Sequence, residues 1–342
     1  MLAILADDLT GALDSAAPFA ARGLRADIAL DLEAIGRIIA DRPDVLSINL
    51  NTREISAEDA RATTAAAIRL LPSGTRLFKK VDSRLKGNIA AELDAIPYSR
   101  ALAAPAIPAF DRFVEAKHVT GHGVDKPISI VERFGSHAGR INSPDTRSHK
   151  DMEDALGAAQ CDGTDLLIGA RGLAEALACH MTENSAPKVA MIPAGRATFV
   201  IGSRDPITLS QINALRAGSK LHYVAAPNGH PEDAVAGDAA LTLIQATPGA
   251  QDVTPQAVAD ALADCLRYSL SQHHDTLLLS GGATAEAVMR GLGVSRLHLH
   301  GECLPGLSVA SANGRYIIAK SGGFGHPDTL KIIADMVLRK AR

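Results

Sequence analysis

The chain has 342 residues, enough for two domains that each bury a core of their own. Hydrophobic residues make up 46% against 21% charged, which excludes a disordered polymer. A net charge of −3, with 3% aromatics and no Trp, argues against a general nucleic-acid binder. The four cysteines, Cys161, Cys179, Cys265 and Cys303, have no metal-knuckle spacing and read as reduced thiols. Met1 to Ala6 is too short for a signal peptide and lacks a basic lead-in. No apolar run approaches the roughly 20 residues of a membrane span. The expectation is therefore a cytoplasmic protein with no membrane and no nucleic-acid partner.

Leu2 to Ala6 reads as a buried strand, ending in Asp7-Asp8-Leu9-Thr10-Gly11-Ala12 and a helix that stops near Gly23. Helix capping accounts for one of those acids but not readily for both. Strand Ala26 to Leu30, a helix near Leu32 to Ala40 and strand Val45 to Leu50 follow. That last strand empties into Asn51-Thr52-Arg53-Glu54, before a helix from about Ala57 to Leu71. A further strand, opening at Thr75, empties into Lys79-Lys80-Val81-Asp82-Ser83-Arg84-Leu85-Lys86-Gly87-Asn88, and Ile89 to Ile96 has helical spacing. Strand Ala101 to Ala104 comes next. Alternation at this spacing predicts βαβ units and a doubly wound parallel sheet. Three strands then deliver Asp7 and Asp8, Arg53, and Lys79 to Lys86 to one sheet edge, where such sheets bind ligands. Four cations and one carboxylate at the third turn suit an acidic, oxygen-rich ligand.

From Pro105 to about Lys150 the pattern breaks, and Lys117 to Gly123 reads as a hairpin arm or lid. His118 and His122 have the i, i+4 spacing of metal ligands only on a helix, and Gly121 and Gly123 argue against one. Helices at Met152 to Ala159 and Leu173 to His180 flank strand Leu166 to Ala170. Turn residues across 183–196 suggest a boundary, giving domains 1–190 and 195–342. Beyond it, strands Ala197 to Ile201, Thr276 to Leu279 and Arg315 to Ala319 each run into a glycine turn. These are Gly202-Ser203-Arg204-Asp205-Pro206, Ser280-Gly281-Gly282-Ala283-Thr284 and Lys320-Ser321-Gly322-Gly323-Phe324-Gly325. Helices follow to about Leu215, to about Met289 and from about Pro327. Glycines admit close backbone approach, and helix N-termini present unpaired N–H groups, so three such turns point to a phosphate or nucleotide. Neither G-x-x-x-x-G-K-[ST] nor G-x-G-x-x-G occurs in the right context. His273-His274 and the alternating His298 and His300 read as exposed or hydrogen-bonded core residues rather than ligands.

On the Asp7–Ala12 stretch, the Lys79–Asn88 stretch and the three glycine turns, all in the family's order, the chain resembles the four-carbon acid sugar kinase family. The resemblance implies an α/β chain of two domains, each with a mostly parallel sheet flanked by helices. The first would bind a sugar acid and the second ATP. It implies that Asp7, Asp8, Arg53, Lys80, Asp82 and Arg84 line the sugar-acid pocket. It implies that Ser203, Gly281, Gly282, Ala283, Thr284, Gly322, Gly323 and Gly325 contact ATP, used with Mg²⁺. The chain departs from the family pattern at Arg204-Asp205, at Ala283 and across Phe134 to Pro144. The implied activity is ATP-dependent phosphorylation of threonate, erythronate or a 2-oxo-tetronate type acid, with a homodimer as the candidate assembly. Arg53 or Arg84 would clamp the carboxylate, Lys80 would neutralise the phosphoryl group, and Asp8 or Asp82 would accept the proton, with Asp7 in reserve. Sites on separate domains would close during turnover. The competing readings are an isomerase or aldolase using Lys80 on a sugar-acid phosphate, and a ligand sensor without turnover.

Overall fold

The unbroken apolar run at the N-terminus forms β1 (Leu2–Ala6), buried along its whole length. Asp8 caps α1 (Leu9–Ala21), accepting from Gly11 N at 2.7 Å, and Gly23 turns the chain with φ of +89°. β2 (Ala26–Ala29), α2 (Ala34–Ala40), β3 (Val45–Asn49), α3 (Ala57–Leu70), β4 (Arg76–Lys80), α4 (Ile89–Asp94) and β5 (Ala101–Ala104) continue the alternation. The computed structural model describes residues 1–232, 239–269 and 276–338. His273 and His274 lie outside them. The chain divides into two compact units, Met1–Lys188 and Val189–Arg342, the junction falling inside the turn-rich segment.

In the first unit, β5 is followed by an arm of three antiparallel strands: β6 (Arg112–Glu115), β7 (His118–Gly121) and β8 (Ile128–Ser129). Then come α5 (Ile130–Phe134), β9 (Ile141–Asn142), α6 (His149–Cys161), β10 (Leu166–Gly169) and α7 (Arg171–Met181). A capping box between Ser148 and Asp151 sets the start of α6. The main sheet has the order β2-β3-β1-β4-β10-β5-β9, every pair parallel. The chain leaves β1 toward β2 on one side, and leaves β3 to reach β4 on the other. The carboxyl ends of β3, β1 and β4 therefore meet at a topological switch point, where a crevice opens at a sheet edge. Register aligns them: Ala6 sits opposite both Asn49 and Lys80.

The second unit comprises β11 (Ala197–Ile201), α8 (Pro206–Gly218), β12 (His222–Pro227), β13 (Leu241–Thr247), α9 (Pro255–Ser269), β14 (Thr276–Ser280), α10 (Gly282–Gly291), β15 (Arg296–Leu304), β16 (Leu307–Ala312), β17 (Arg315–Lys320) and α11 (Thr329–Leu338). Strands β12-β13-β11-β14-β17 run parallel, and β16 and β15 extend the sheet as an antiparallel meander. Ile212 and Leu215 of α8 and Leu330, Ile333 and Val337 of α11 pack with Phe199, Leu243, Leu278 and Ile318 into one core. The three strands that carry glycine turns are neighbours, with Ser280 opposite both Ile201 and Lys320. The last turn runs two residues further than its sequence suggests, and α11 opens at Thr329 rather than near Pro327. Among the described residues no helix is long and apolar enough to cross a membrane.

Candidate functional site

At the switch point of the first unit, the loop after β3 folds back onto β1. Asp7 O accepts from Thr52 N at 2.9 Å and Arg53 N at 3.2 Å. This carries the Arg53 guanidinium over both aspartates. Nε and Nη2 fork onto the two oxygens of Asp7 at 2.8 and 3.0 Å, and Nη1 donates to Asp8 Oδ2 at 2.6 Å. Asp82 Oδ2 lies 3.9 Å from Nη2. Sequence reasoning expects Arg53 to clamp an external carboxylate. Arg84 is the alternative clamp, and in the structure the Arg53 fork engages the chain's own acids, which it holds and neutralises.

The two acids are pushed apart electrically. Burial raises the Asp7 carboxyl, but the Lys79 charge and the Arg53 hydrogen bonds outweigh it and hold the group below its usual range. For Asp8 burial prevails over Arg53 and Lys80, aided by the neighbouring Asp7 charge, and its pKa is raised. A carboxyl raised in this way is suited to taking a proton.

Successive strand residues face opposite ways, which separates the two lysines of β4. Lys79 is fully buried and pairs with Glu92 at 2.9 Å. The second Glu92 oxygen accepts from the Thr52 hydroxyl, so Lys79 is structural and does not belong with the ligand-facing cations. Lys80 Nζ donates to Val81 O at 3.0 Å and lies against Gly11, where a Cβ would fall 2.9 Å from it and 2.7 Å from Asp8 Oδ1. The ammonium carries two further N–H donors. Asp82 folds the next turn, its Oδ1 accepting from Arg84 N at 2.8 Å while Oδ2 remains open toward Arg53. The Arg84 side chain is exposed. Asn88 ties the turn to the loop after β3 through Thr52 O and Ile55 O, both at 2.9 Å.

Two residues of this edge have no sequence signal. Thr52 joins it through Glu92. Arg112, on β6, donates through Nη1 to Ser83 Oγ at 2.6 Å and so fastens the arm to the turn. It stands 29 positions from Ser83, in a stretch without periodicity. His118 and His122 belong to this arm, not to a helix. His118 Nδ1 bonds Ala116 O at 2.8 Å. Elsewhere His300 pairs with Ser311 Oγ at 2.9 Å and stacks on Tyr316.

In the second unit the three glycine turns interlock. A Cβ on Gly202 would overlap the Thr284 hydroxyl, and one on Gly322 would overlap Ser203 Oγ. One on Gly323 would lie 2.9 Å from Asp205 Oδ2. Gly281 holds φ of +107° and starts α10 without a side-chain cap, so among the described residues no side chain caps the first N–H groups of α10, from Gly282 through Ala283 and Thr284. The α8 terminus differs: Asp205 Oδ1 accepts from Ile207 N at 2.8 Å and Pro206 occupies the first turn. Only the α10 start, of these two, presents an open N-terminus. Lys320 is buried and pins the third turn, donating to Ser321 O at 2.9 Å, Gly322 O at 3.1 Å and Thr208 Oγ1 at 3.3 Å. Burial lowers its pKa to about 8 against the pull of Asp205. Gly325 keeps φ of +96° under Gln211, which bonds Phe324 O at 3.0 Å and His326 O at 2.9 Å. Beside these turns, a cavity of about 340 Å³ opens between Asn228, His230, Gly249, Gln251 and Ala257. Among the described residues no group of three or more His, Cys, Asp or Glu gathers as a metal cage.

Comparison with known proteins places names beside this geometry. Residues 2–132 match the sugar-binding N-terminal domain model and residues 228–330 the nucleotide-binding C-terminal domain model. A D-threonate kinase of Cupriavidus necator is 26% identical over 94% of each chain. A 3-oxo-tetronate kinase of Burkholderia multivorans is 25% identical over 96% of this chain and 95% of its own. The fold is shared with a Haemophilus influenzae protein of known structure, at a TM-score of 0.75 and 20% identity, over 98% of this chain and 100% of that one.

Proposed function

The chain belongs to the four-carbon acid sugar kinase family, and we propose that it transfers the γ-phosphoryl group of ATP to a hydroxyl of a four-carbon sugar acid. The acid is taken by the first unit at the β3–β1–β4 edge, and ATP by the second unit at the β11–β14–β17 edge. The observation that carries the reading is the open N-terminus of α10, set among three adjacent glycine turns. Phosphate is the ligand such a site binds best. One of the two relatives is named for a 3-oxo-tetronate, so the keto acid to test includes the 3-oxo as well as the 2-oxo form.

Each site residue has a role that follows from its surroundings. Arg53 offsets Asp7 and Asp8, so that they accept hydrogen bonds from sugar hydroxyls without repelling an anion. Asp8, with its raised pKa, accepts the proton of the attacking hydroxyl. Asp82 orients a neighbouring hydroxyl through its open Oδ2. Lys80 stabilises the charge on the transferring group, and Arg84 meets the substrate carboxylate. In the second unit the backbone at Gly281, Gly282, Ala283, Thr284, Gly322 and Gly323 cradles the phosphates, with Ser203 adding a hydroxyl and Gly325 shaping the turn. The cavity beside Asn228 and Gln251 suits the adenosine end. The donor set fits Mg²⁺ carried in with the nucleotide, since such an ion takes few protein ligands and Asp205 directs a carboxylate at the glycine turn. When bound, Mg²⁺ neutralises phosphate charge.

The test is ADP release from ATP and Mg²⁺ against D-threonate, D-erythronate, 2-oxo-tetronate and 3-oxo-tetronate. Turnover that depends on one acid is the expected result. Measurable ATP binding without turnover of any acid refutes the reading.

A further inference from the structure

Resting on the kinase reading above, we propose that Arg112, reaching from the arm to the turn after β4, completes with Arg84 a two-arginine clamp that selects a substrate carboxylate over a neutral polyol. The cations of this edge are Arg53, Lys79, Lys80, Arg84, Lys86 and Arg112, of which Lys86 is an exposed ammonium without a fork. Arg53 has spent its fork on Asp7 and Asp8, and Lys79 is committed to Glu92. Lys80 is a point charge beside Asp8, where phosphoryl chemistry needs it. A carboxylate is best met by a planar fork, and the guanidinium groups left at this turn are those of Arg84 and Arg112.

The Arg112 position is built. Nη1 meets Ser83 Oγ at 2.6 Å, directly beside Arg84 in the chain. Nε and Nη2 share His122 O at 3.1 and 2.7 Å. The return of the arm is closely fitted, since a Cβ on Gly123 would fall 3.1 Å from Nη2. Three of five N–H donors are used, leaving one on each terminal nitrogen. Among the described residues no carboxylate comes within ion-pair distance of Arg112. Burial and the Arg84 charge together lower its pKa against the weaker pull of Asp82. Two like charges near enough to act on one another, one partly desolvated and neither ion-paired with a carboxylate among the described residues, are stabilised when an anion arrives.

The experiment measures steady-state turnover of the preferred acid and of its tetritol, the same carbon chain with an alcohol in place of the carboxylate, by wild type, R112Q, R112K and R84Q. R112Q is expected to raise KM for the acid roughly 10- to 100-fold, with kcat falling far less and KM for ATP unmoved. The preference for acid over tetritol falls by the same factor. R112K, a point charge without a fork, recovers only part of it. R84Q, on an exposed side chain, repeats the loss of preference even where R112Q folds poorly. Equal losses for acid and tetritol overturn the clamp and leave Arg112 as an anchor for the arm; so does an unchanged preference. A wild type that turns over no acid refutes the kinase reading instead. Calorimetric binding of the acid to wild type and R112Q then decides the clamp separately, equal affinity overturning it.

Discussion

The Lys79–Glu92 pair ties the stability of the first unit to the geometry of its edge. Both side chains are essentially inaccessible, at 0% and 1% exposed, and 2.9 Å apart. Lys79→Met leaves Glu92 buried without its counter-charge, with only the Thr52 hydroxyl for company. Breaking such a pair costs about 3–5 kcal/mol. For a unit of this size each kcal/mol moves Tm by about 2–4 °C, so the midpoint should drop by roughly 6–20 °C. Lys79→Met/Glu92→Gln removes both charges and keeps an acceptor for Thr52. It should return to within about 2 kcal/mol of wild type. Differential scanning calorimetry gives the midpoints, and ADP release at a temperature where all variants are folded gives activity. If Lys79→Met loses under about 1 kcal/mol, the ion pair is not what holds Thr52 and the turn in place. If the double variant is stable yet inactive, Lys79 acts on the site, on the substrate or through the Asp7 carboxyl, and the purely structural assignment is wrong.

Asp8→Asn should lower kcat by roughly 10²–10⁴-fold with modest change in KM for the acid. In the wild type, kcat/KM should fall as pH drops through the raised Asp8 pKa, so the acidic limb of the pH profile lies above the range of an ordinary carboxylate. A limb in the ordinary range, or one that survives in Asp8→Asn, removes Asp8 as the base. Gly202→Ala should overlap Thr284 and raise KM for ATP while sparing binding of the acid. Adding Thr284→Ala should restore part of the loss, and absence of any rescue in ATP titrations would show that the close approach of the two turns is not the cause. Lys320 is held near pH 8 against an ordinary 10.5, so between those values the unfolded chain keeps a proton that the folded chain has released. Stability should therefore rise with pH across that window. Denaturant midpoints for Lys320→Met should lose this component of the slope, and an unchanged slope refutes it.

Much of this site is legible because its parts sit where strands end. β1, β5 and β11 have the bounds that their apolar runs suggest, and a parallel sheet brings the residues after such strands to one edge. Asp7, Asp8, Arg53 and Asp82 meet for that reason. What they do to one another was not legible, because the donor that Arg53 gives to Asp7 or to a ligand depends on how the loop after β3 folds back, and Asp7 O decides that. The separation of Lys79 from Lys80 follows from strand alternation, and so had a signal. The Asp205-Pro206 pair also had one, that of a capped helix start, which turns one glycine turn from an anion site into a support. Strands β12, β13 and β16 are hidden by mixed composition, and Arg112 by a stretch without period. Its place follows only from the arm.

A site for an acid that opens on three carboxylates appears electrically inverted until its cations are counted with it. Lys79 and Glu92 cancel each other inside the unit. At the edge, Asp7, Asp8 and Asp82 are set against Arg53 and Lys80 at the strand ends and Arg84, Lys86 and Arg112 on the turn and the arm, so positive charges outnumber negative ones. The distribution also has a direction. Arg53 and Lys80 act on Asp7 and Asp8 at the strand ends, so the hydroxyl-binding end is near neutral. The surplus sits on the outer turn and the arm, on Arg84, Lys86 and Arg112. A sugar acid is polarised the same way, with hydroxyls along one end and the carboxylate at the other. On the proposed reading this polarity favours one orientation of the acid, with a hydroxyl at Asp8 and the carboxylate at the turn and the arm. A neutral polyol of equal length meets the same hydroxyl acceptors but has no reason to prefer one direction. Its penalty should appear in the fraction of productive complexes as well as in affinity.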